Sequence, residues 1–169
     1  MNDKFFVNRL ADSIESQSML SEVADLIDSF FTQNTFVFHT SGSTGIPKEI
    51  KFCRDEIVSS AKLTASCFDL KTGSSVLLAL PTRYVAGKMM VYRAIANQWK
   101  LLIAAPSSNP LAELNTPIDF VAFTPHQLAM AFEHCPEKLY LIQTIICGGG
   151  RVGKELADRI YQSGIHVFE

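Results

Sequence analysis

Residues 35–48 have the sequence TFVFHTSGSTGIPK, which carries the strongest structural signal in the chain. The first four residues are apolar or β-branched and predict a buried strand over residues 35–39. Small hydroxylated residues and two glycines follow. Glycine lets backbone amides approach a ligand closely and permits positive φ. Hydroxyl groups donate hydrogen bonds to phosphate oxygens, and lysine adds positive charge. The stretch therefore predicts a polyanion-binding loop at the end of a strand.

The phosphate-binding prediction covers the hydroxyl, glycine and lysine positions of this loop. They are Thr40, Ser41, Gly42, Ser43, Thr44, Gly45 and Lys48. A Walker A loop, G-x-x-x-x-G-K-[ST], does not fit, because the glycines are three positions apart and Glu49 stands where the magnesium-binding hydroxyl belongs. An ordinary surface turn is the other alternative. It is disfavoured by the residue order and by the strand that precedes the loop.

Length and composition limit the class of protein. The chain has 169 residues, which suit one domain or part of a larger one. Its apolar fraction of 47% predicts a packed core rather than disorder. A net charge of −2 favours neither nucleic acid nor an anionic membrane surface as a partner. We expect no signal peptide and no membrane span, because no apolar run is long enough.

The four cysteines are Cys53, Cys67, Cys135 and Cys147, and no two of them form a C-x-x-C pair. Each lies within or beside an apolar segment, which predicts reduced and mostly buried thiols rather than metal ligands. Reduced thiols are typical of the cytoplasm, so we expect a cytoplasmic location. The sequence indicates no metal site and leaves the oligomeric state open.

Apolar periodicity predicts strands and helices that alternate from residue 35 onward. Strands are predicted at 35–39, 50–52, 75–80, 100–105, 120–123, 142–147 and 165–168. Helices are predicted at 19–33, 55–68, 87–98, 125–134 and 153–163. The alternation predicts an α/β fold, with a mostly parallel sheet, right-handed crossovers and helices on both faces.

Ligands of such sheets bind beyond the carboxyl ends of the strands. Four predicted loops leave carboxyl ends, and we expect all of them to line one crevice. They are 40–47, 81–86, 124–126 and 148–151.

Residues 148–155 have the sequence GGGRVGKE, which allows two interpretations. Its glycines satisfy G-x-G-x-x-G between a predicted strand and a predicted helix, and Glu169 follows about twenty residues later, as in a Rossmann dinucleotide-binding unit. The same residues satisfy G-x-x-x-x-G-K. Glu155, however, replaces the hydroxyl that would hold magnesium, which disfavours a P-loop NTPase.

The order of the motifs resembles the adenylate-forming superfamily, which includes acyl- and aryl-CoA ligases, luciferases and peptide-synthetase adenylation domains. Residues 40–48 resemble its phosphate loop, [ST]-S-G-[ST]-T-G-x-P-K, and the Thr-Pro pair at 124–125 and a glycine cluster follow in the family's order. The resemblance implies that the backbone of Gly148, Gly149 and Gly150 approaches adenine. It also implies ATP as a substrate and attack of a carboxylate on the α-phosphate, giving an acyl-adenylate and pyrophosphate.

Residues 80–90, LPTRYVAGKMM, resemble the family's L-P-x-[FY]-H-x-x-G segment, which lines the acyl pocket. The sequence from Tyr84 to Met90 is most similar to that of short o-succinylbenzoate–CoA ligases of menaquinone biosynthesis. Acid contacts are accordingly expected from Tyr84, Gly87, Lys88 and Arg93. Tyr84 departs from the family pattern, since many members carry histidine at that position. A ligase for another aryl or acyl acid is the alternative.

A diacid such as o-succinylbenzoate needs a fixed cation to hold the carboxylate that does not react. Arg83, Lys88 and Arg93 are the candidates. Lys88 and Arg93 are five positions apart on a predicted helix, which separates them widely around its axis.

We expect two parts in the chain: a helical N-terminal segment, 1–34, and part of an AMP-binding α/β domain, 35–169. The resemblance implies that the family's acidic magnesium ligand, its ribose-binding acid and the lysine of its mobile domain lie outside this sequence. The intact enzyme would then use ATP, Mg²⁺ and CoA, whereas this chain would contain no catalytic residue and would not turn over alone. A dinucleotide-binding Rossmann module and a non-catalytic nucleotide-binding fragment are the alternatives of another class.

Overall fold

The computed structural model describes residues 7–10, 14–40 and 48–169. Within these ranges the strands are β1 (Val7–Arg9), β2 (Thr35–Thr40), β3 (Lys48–Cys53), β4 (Ser75–Leu78), β5 (Lys100–Ile103), β6 (Ile118–Phe123), β7 (Ile142–Cys147) and β8 (Val167–Phe168). The helices are α1 (Ile14–Thr32), α2 (Arg54–Cys67), α3 (Val85–Asn97), α4 (Pro125–His134), α5 (Pro136–Leu139) and α6 (Lys154–Ser163).

Six strands form one sheet in the order β1-β5-β4-β6-β7-β8, and every neighbouring pair is parallel. The predicted parallel α/β sheet is therefore confirmed. From β4 the chain moves to β5 on one side and then returns past β4 to β6 on the other. The strand order reverses between β4 and β6. Such a switch point is where open α/β sheets bind their ligands, beyond the carboxyl ends of the strands.

The two central strands are apolar on both faces because helices cover both. Val76 and Leu78 of β4 pack into the core formed with α1, α2 and α3, whereas Leu77 packs into the core formed with α4 and α6. This division follows from the two-residue period of a strand. It explains the continuous apolar run at β4, which is typical of buried parallel strands.

The strand after residue 34 does not join the parallel sheet, which corrects the expectation that the loop after it leaves a sheet strand. β2 pairs with β3 as a separate antiparallel hairpin, from Thr35 opposite Cys53 to Thr40 opposite Lys48. Loop length explains the antiparallel pairing of β2 with β3. Residues 41–47 are too few for a parallel crossover, which needs about a dozen residues or more, but they suffice for antiparallel neighbours.

The β2 strand is also only half-buried. Phe36 and Phe38 are each 2% exposed, while Thr35 and His39 face solvent. This alternation is typical of an antiparallel strand with one covered face. The prediction of a buried strand therefore holds for one face of β2.

The N-terminal segment contributes a strand as well as a helix. β1 pairs with β5, with Val7 opposite Leu101, and so forms one edge of the sheet. Three residues are too few to display a two-residue period, which explains why the sequence did not predict this strand. Of the helices in the described ranges, none combines the length and apolarity that a bilayer crossing requires.

All four cysteines are free, but only two are buried. Cys135 and Cys147 lie in the core, whereas Cys53 and Cys67 are exposed at the two ends of α2. The expectation of mostly buried thiols is wrong for that pair. A neighbouring apolar residue does not reveal which face of its element a cysteine occupies.

Candidate functional site

The connection after β4 is a tight turn at the carboxyl edge of the sheet. The Tyr84 amide donates to the Pro81 carbonyl at 3.2 Å, and Tyr84 then serves as the N-cap of α3. Gly87 approaches the turn so closely that an added Cβ would lie 2.3 Å from the Pro81 carbonyl oxygen. Glycine at this position therefore has a structural reason, whether or not it also contacts a ligand.

The turn presents an aromatic ring and a cation together. Tyr84 is 56% exposed, and the guanidinium carbon of Arg83 lies 4.8 Å from the centre of its ring. Cation–π contact of this kind stabilises an exposed arginine weakly and orients the ring. The structure thus places Tyr84, a predicted acid contact, next to Arg83, a candidate cation for a second carboxylate, beyond the end of β4.

Lys88 lies in the first turn of α3 and points toward the hairpin. Its Nζ is 3.4 Å from the Val37 carbonyl oxygen and 5.5 Å from the centre of the Phe38 ring. The side chain is half-buried in this contact. Lys88 therefore links the acid segment to the strand that precedes the predicted phosphate loop.

The hairpin is oriented by its contacts with α3. Phe36 contacts Tyr92, in the middle of α3, at a ring distance of 5.1 Å, while Phe38 lies beside Lys88 near the start of the helix. β2 therefore runs along α3 toward the helix start, which lies at the carboxyl edge of the sheet. The end of the hairpin next to the loop, at residues 40 and 48, therefore lies toward the same edge.

Most of the predicted phosphate-binding residues lie outside the described part of the chain. They are Ser41, Gly42, Ser43, Thr44 and Gly45. Thr40 ends β2 and Lys48 begins β3, and their backbones pair across the mouth of the loop. The Lys48 side chain is exposed.

Arg93 lies apart from the other predicted acid contacts. It is eight residues beyond the start of α3, about 12 Å along the axis at 1.5 Å per residue. Asn97, on the same face one turn later, donates to the Ala61 carbonyl of α2 at 3.0 Å. Burial lowers the pKa of Arg93, and its Nε has no hydrogen-bond partner among the described residues. The structure does not bring Arg93 together with Tyr84.

The glycine cluster lies at the carboxyl end of β7, next to the loop that follows β6. The Gly148 amide donates to the Phe123 carbonyl at 3.0 Å. Gly149 has a φ of 79°, and a Cβ added to Gly150 would lie 3.6 Å from the Pro125 ring. All three glycines are exposed, so their backbone forms a surface that a planar ligand can approach.

Gln127 connects these loops and was not among the predicted site residues. Its side chain, 6% exposed, donates to the Ala79 carbonyl after β4 at 2.9 Å and to the Ser107 carbonyl after β5 at 3.1 Å. It also completes a capping box with Thr124 at the start of α4. The signal was present as Thr124-Pro-His-Gln127, a capping box of the form [ST]-x-x-[EQ].

These contacts define the candidate crevice: the turn 81–84, the loop at 124–127 and the glycines 148–150, all at the carboxyl edge around the β4–β6 switch point. Beneath the glycines, burial raises the pKa of the Cys147 thiol, and the carboxylate of Glu169 raises it further. A neutral thiol is a poor nucleophile. The crevice therefore offers backbone donors, an aromatic ring and a cation, which suit ligand binding.

A cleft of about 280 Å³ lies at the amino ends of the sheet strands, opposite the candidate crevice. Pro136 and Leu139 of α5, which precede β7, and Ser163 and Ile165, which precede β8, line it together with Arg159. These residues stand at the amino ends of their strands. The cleft is therefore separate from the candidate crevice.

In the described ranges, no group of three or more His, Cys, Asp or Glu side chains could hold a metal ion. Mg²⁺ at nucleotide sites is usually held by one or two carboxylates together with substrate phosphates, so this finding concerns only a site built wholly from such side chains of the described residues. No step of the chemistry is assigned to a metal held by these residues.

Comparison with known proteins identifies a matching family. The model of the family described as AMP-binding enzyme matches residues 18–169. A search of curated proteins found no match. Among solved structures, an acyl-CoA synthetase (AMP-forming)/AMP-acid ligase II-like protein from Dyadobacter fermentans is 33% identical, with a TM-score of 0.79 over 88% of this chain and 44% of that chain.

Two further structures share the fold at lower identity. The o-succinylbenzoate coenzyme A synthetase from Bacillus subtilis, in complex with AMP, is 24% identical, with a TM-score of 0.68 over 79% of this chain and 28% of that chain. The N-terminal subdomain of Klebsiella oxytoca NpsA, in complex with 3-hydroxyanthranilyl-AMSN, is 18% identical, with a TM-score of 0.64 over 78% of this chain and 35% of that chain. The chain spans less than half the length of each of these three structures.

Proposed function

This chain belongs to the AMP-binding enzyme family, and on that premise we propose that it supplies the nucleotide- and acid-binding part of an ATP-dependent acid–CoA ligase. The observation that carries the proposal is the convergence of three predicted binding segments on one edge of the sheet. The turn 81–84, the Thr124–Pro125 pair and the glycines 148–150 meet at the switch point, and the hairpin directs residues 40 and 48 toward the same edge.

The proposed chemistry assigns a separate task to each segment. Hydroxyls and amides of residues 40–45 hold the phosphates of ATP, and Lys48 offsets their charge. The backbone of the glycines 148–150 lies against adenine. An acid carboxylate attacks the α-phosphorus, the new P–O bond forms, and the bond to pyrophosphate breaks. The thiol of CoA then loses its proton to solvent and attacks the acyl carbonyl; the C–S bond forms and the C–O bond to AMP breaks. The residues of this chain bind and orient the reactants.

For the acid we propose o-succinylbenzoate, and therefore a place in menaquinone biosynthesis. Support comes from the LPTRYVAGKMM segment and from the exposed ring and cation at the turn. Arg83 and Lys88 are the candidates to hold the second carboxylate, since Arg93 lies along α3 on the face toward α2. Another aryl or acyl acid is the alternative.

Two subsidiary proposals accompany the ligase. The free thiols support a cytoplasmic location. We also retain the division into residues 1–34 and 35–169, with the second part carrying the binding segments.

The first test concerns the phosphate loop in the protein at its natural length. Lys48→Ala and Thr44→Ala should each weaken acid-dependent pyrophosphate exchange by about 1.5–3 kcal/mol in kcat/KM, because a charge-assisted contact is lost. Lys51→Ala is the matched control on the same strand, since its exposed ion pair with Glu49 contributes at most about 1 kcal/mol. Unchanged exchange in both loop variants would refute the assignment.

The second test separates adenine binding from dinucleotide binding. Gly148→Ala adds a Cβ with no atom of the described residues within 4 Å, so we expect a loss to come from the ligand rather than from a clash in the fold. We expect the KM for ATP to rise about tenfold, equivalent to about 1.4 kcal/mol. Gly153→Ala, which is equally open, is the control. Saturable binding of NAD in a calorimeter would instead support the Rossmann alternative.

The third test concerns the acid. Lys88→Met, Arg83→Met and Arg93→Met are compared with o-succinylbenzoate and with a simple benzoate. Loss of the pairing cation should cost about 2–4 kcal/mol in kcat/KM for the diacid and far less for the monoacid. We expect Lys88→Met or Arg83→Met to discriminate and Arg93→Met not to. If no variant discriminates, o-succinylbenzoate is the wrong acid, while the AMP-forming chemistry stands.

A further inference from the structure

Helix α1 reaches the turn after β4 through one side-chain hydrogen bond. The hydroxyl of Thr82 donates to the carboxylate of Glu22, sixty positions earlier in the chain. Thr82 is 4% exposed, whereas Glu22 lies on the exposed side of α1. A buried hydroxyl needs such a partner, and a charged acceptor makes a stronger bond than a neutral one.

The acceptor is held in place by the packing of its helix. Met19 and Val23, which flank Glu22 on α1, are 2% and 0% exposed in the core that α1 shares with α3. The backbone around Glu22 therefore follows the core rather than solvent. Glu22 provides a fixed point for Thr82.

Thr82 belongs to the segment that presents the predicted acid contacts. The turn closes between Pro81 and Tyr84, and Gly87 leaves no space below it. These two contacts set the shape of the turn, but both come from its own neighbourhood. Through the Thr82–Glu22 bond, a distant element contacts the turn itself.

We propose that Glu22 and Thr82 are positioning residues for the acid. They hold the turn so that Arg83 and Tyr84 face the crevice, and neither touches the substrate. The inference rests on the proposed ligase function. It assigns to the N-terminal helix a role in acid affinity, while ATP is held by other segments.

The test uses four variants in the protein at its natural length. Glu22→Ala and Thr82→Val remove the bond, whereas Glu22→Gln and Thr82→Ser keep an acceptor and a donor. The two variants that remove the bond should raise the KM for o-succinylbenzoate about tenfold and leave the KM for ATP unchanged. The conserving variants should stay near the wild type. Asp25→Ala, at another exposed carboxylate of α1, is the matched control.

Two further measurements keep the result decisive. The double variant Glu22→Ala with Thr82→Val should be no worse than either single variant, because both remove the same bond. Hydrogen exchange at the amides of residues 82–88 should accelerate in the removing variants and not in the conserving ones.

Equal increases in the KM for the acid and the KM for ATP would show that the contact only stabilises the fold. So would a failure of Glu22→Gln and Thr82→Ser to stay near the wild type. Either result would refute this inference and leave the proposed ligase function standing. An absence of acid-dependent exchange in the wild type would refute the ligase itself, and the inference with it. The wild-type assay therefore separates the two failures.

Discussion

The carboxyl edge of the parallel sheet and the β2–β3 hairpin hold their predicted binding residues by different means. At the sheet edge, each loop is tied to its neighbour by hydrogen bonds, such as Gln127 to the Ala79 carbonyl and the Gly148 amide to Phe123. The hairpin is held by one apolar face together with the contact of Lys88 to the Val37 carbonyl. Phe36 and Phe38 are buried, while nearly all of β3 is exposed.

The aromatic contacts show what the hairpin depends on. Phe36 lies 5.1 Å from the ring of Tyr92 on α3 and 6.0 Å from that of Phe30 on α1. Such rings contribute buried area and oriented contact. The predicted adenine and acid segments therefore take their positions from the sheet, whereas the strands that flank the predicted phosphate loop take theirs from side-chain packing against two helices.

Removal of the hairpin's main contact should have the largest effect. Phe36→Ala should lower the free energy of unfolding by about 3–5 kcal/mol, because a fully buried ring leaves a cavity. Urea unfolding measures it. Phe31→Ala is the control, since its ring also contacts Phe30 but is 59% exposed. Equal losses in both variants would show that the aromatic cluster does not hold the hairpin.

The next effect concerns the sheet edge. Gly87→Ala should lower the free energy of unfolding by about 3 kcal/mol, in the upper part of the range for overpacked cores. The new Cβ would meet a backbone carbonyl that cannot rotate away. Thermal unfolding measures the loss. Gly153→Ala adds a Cβ in open space and should change the midpoint little. A tolerated alanine at 87 would contradict the close packing of α3 on the turn.

A smaller loss is expected from the polar bridge. Gln127→Ala should cost about 1–2 kcal/mol, because the carbonyls of Ala79 and Ser107 lose a donor. Gln143→Ala, at an exposed position of β7, should stay within about 0.5 kcal/mol of the wild type. Both are measured by urea unfolding. If the two variants match, the loops at this edge do not depend on Gln127.

The smallest effect at neutral pH is expected from Tyr92→Phe, because the bond that it removes, to Ser29, is long at 3.4 Å. Burial raises the pKa of Tyr92 above 10.0, and the Ser29 hydrogen bond lowers it by a smaller amount. The folded protein thus keeps the phenol protonated after the unfolded chain has begun to ionise. The contribution of the Tyr92 phenol to stability is present below pH 10.0. It is lost as the pH rises from there through the pKa of Tyr92 in the folded protein.

The measurement is the difference in unfolding free energy between wild type and Tyr92→Phe, at about pH 8 and at about pH 11. The wild type should lose up to about 1.4 kcal/mol per pH unit relative to the variant above pH 10.0. Parallel curves would mean that Tyr92 is not desolvated at the hairpin contact.

Much of this protein followed from local patterns. β7 has the bounds that the apolar run predicts, and β4 and β6 lie within one or two residues of their predicted ends. The glycine cluster and the Thr124–Pro125 pair lie at carboxyl ends, as the alternation of strands and helices required. These features were predictable because periodicity, proline and glycine act on the residues beside them.

The tertiary structure alone decided which strands pair and which side chains meet. Antiparallel pairing took β2 out of the sheet, and distance along α3 separated Arg93 from Tyr84. Thr82 meets Glu22 across sixty positions, and no local pattern encodes that contact. Pairing and side-chain contact depend on how distant segments close onto one core. A strand's period determines which of its faces is apolar, and the rest of the fold determines what covers that face.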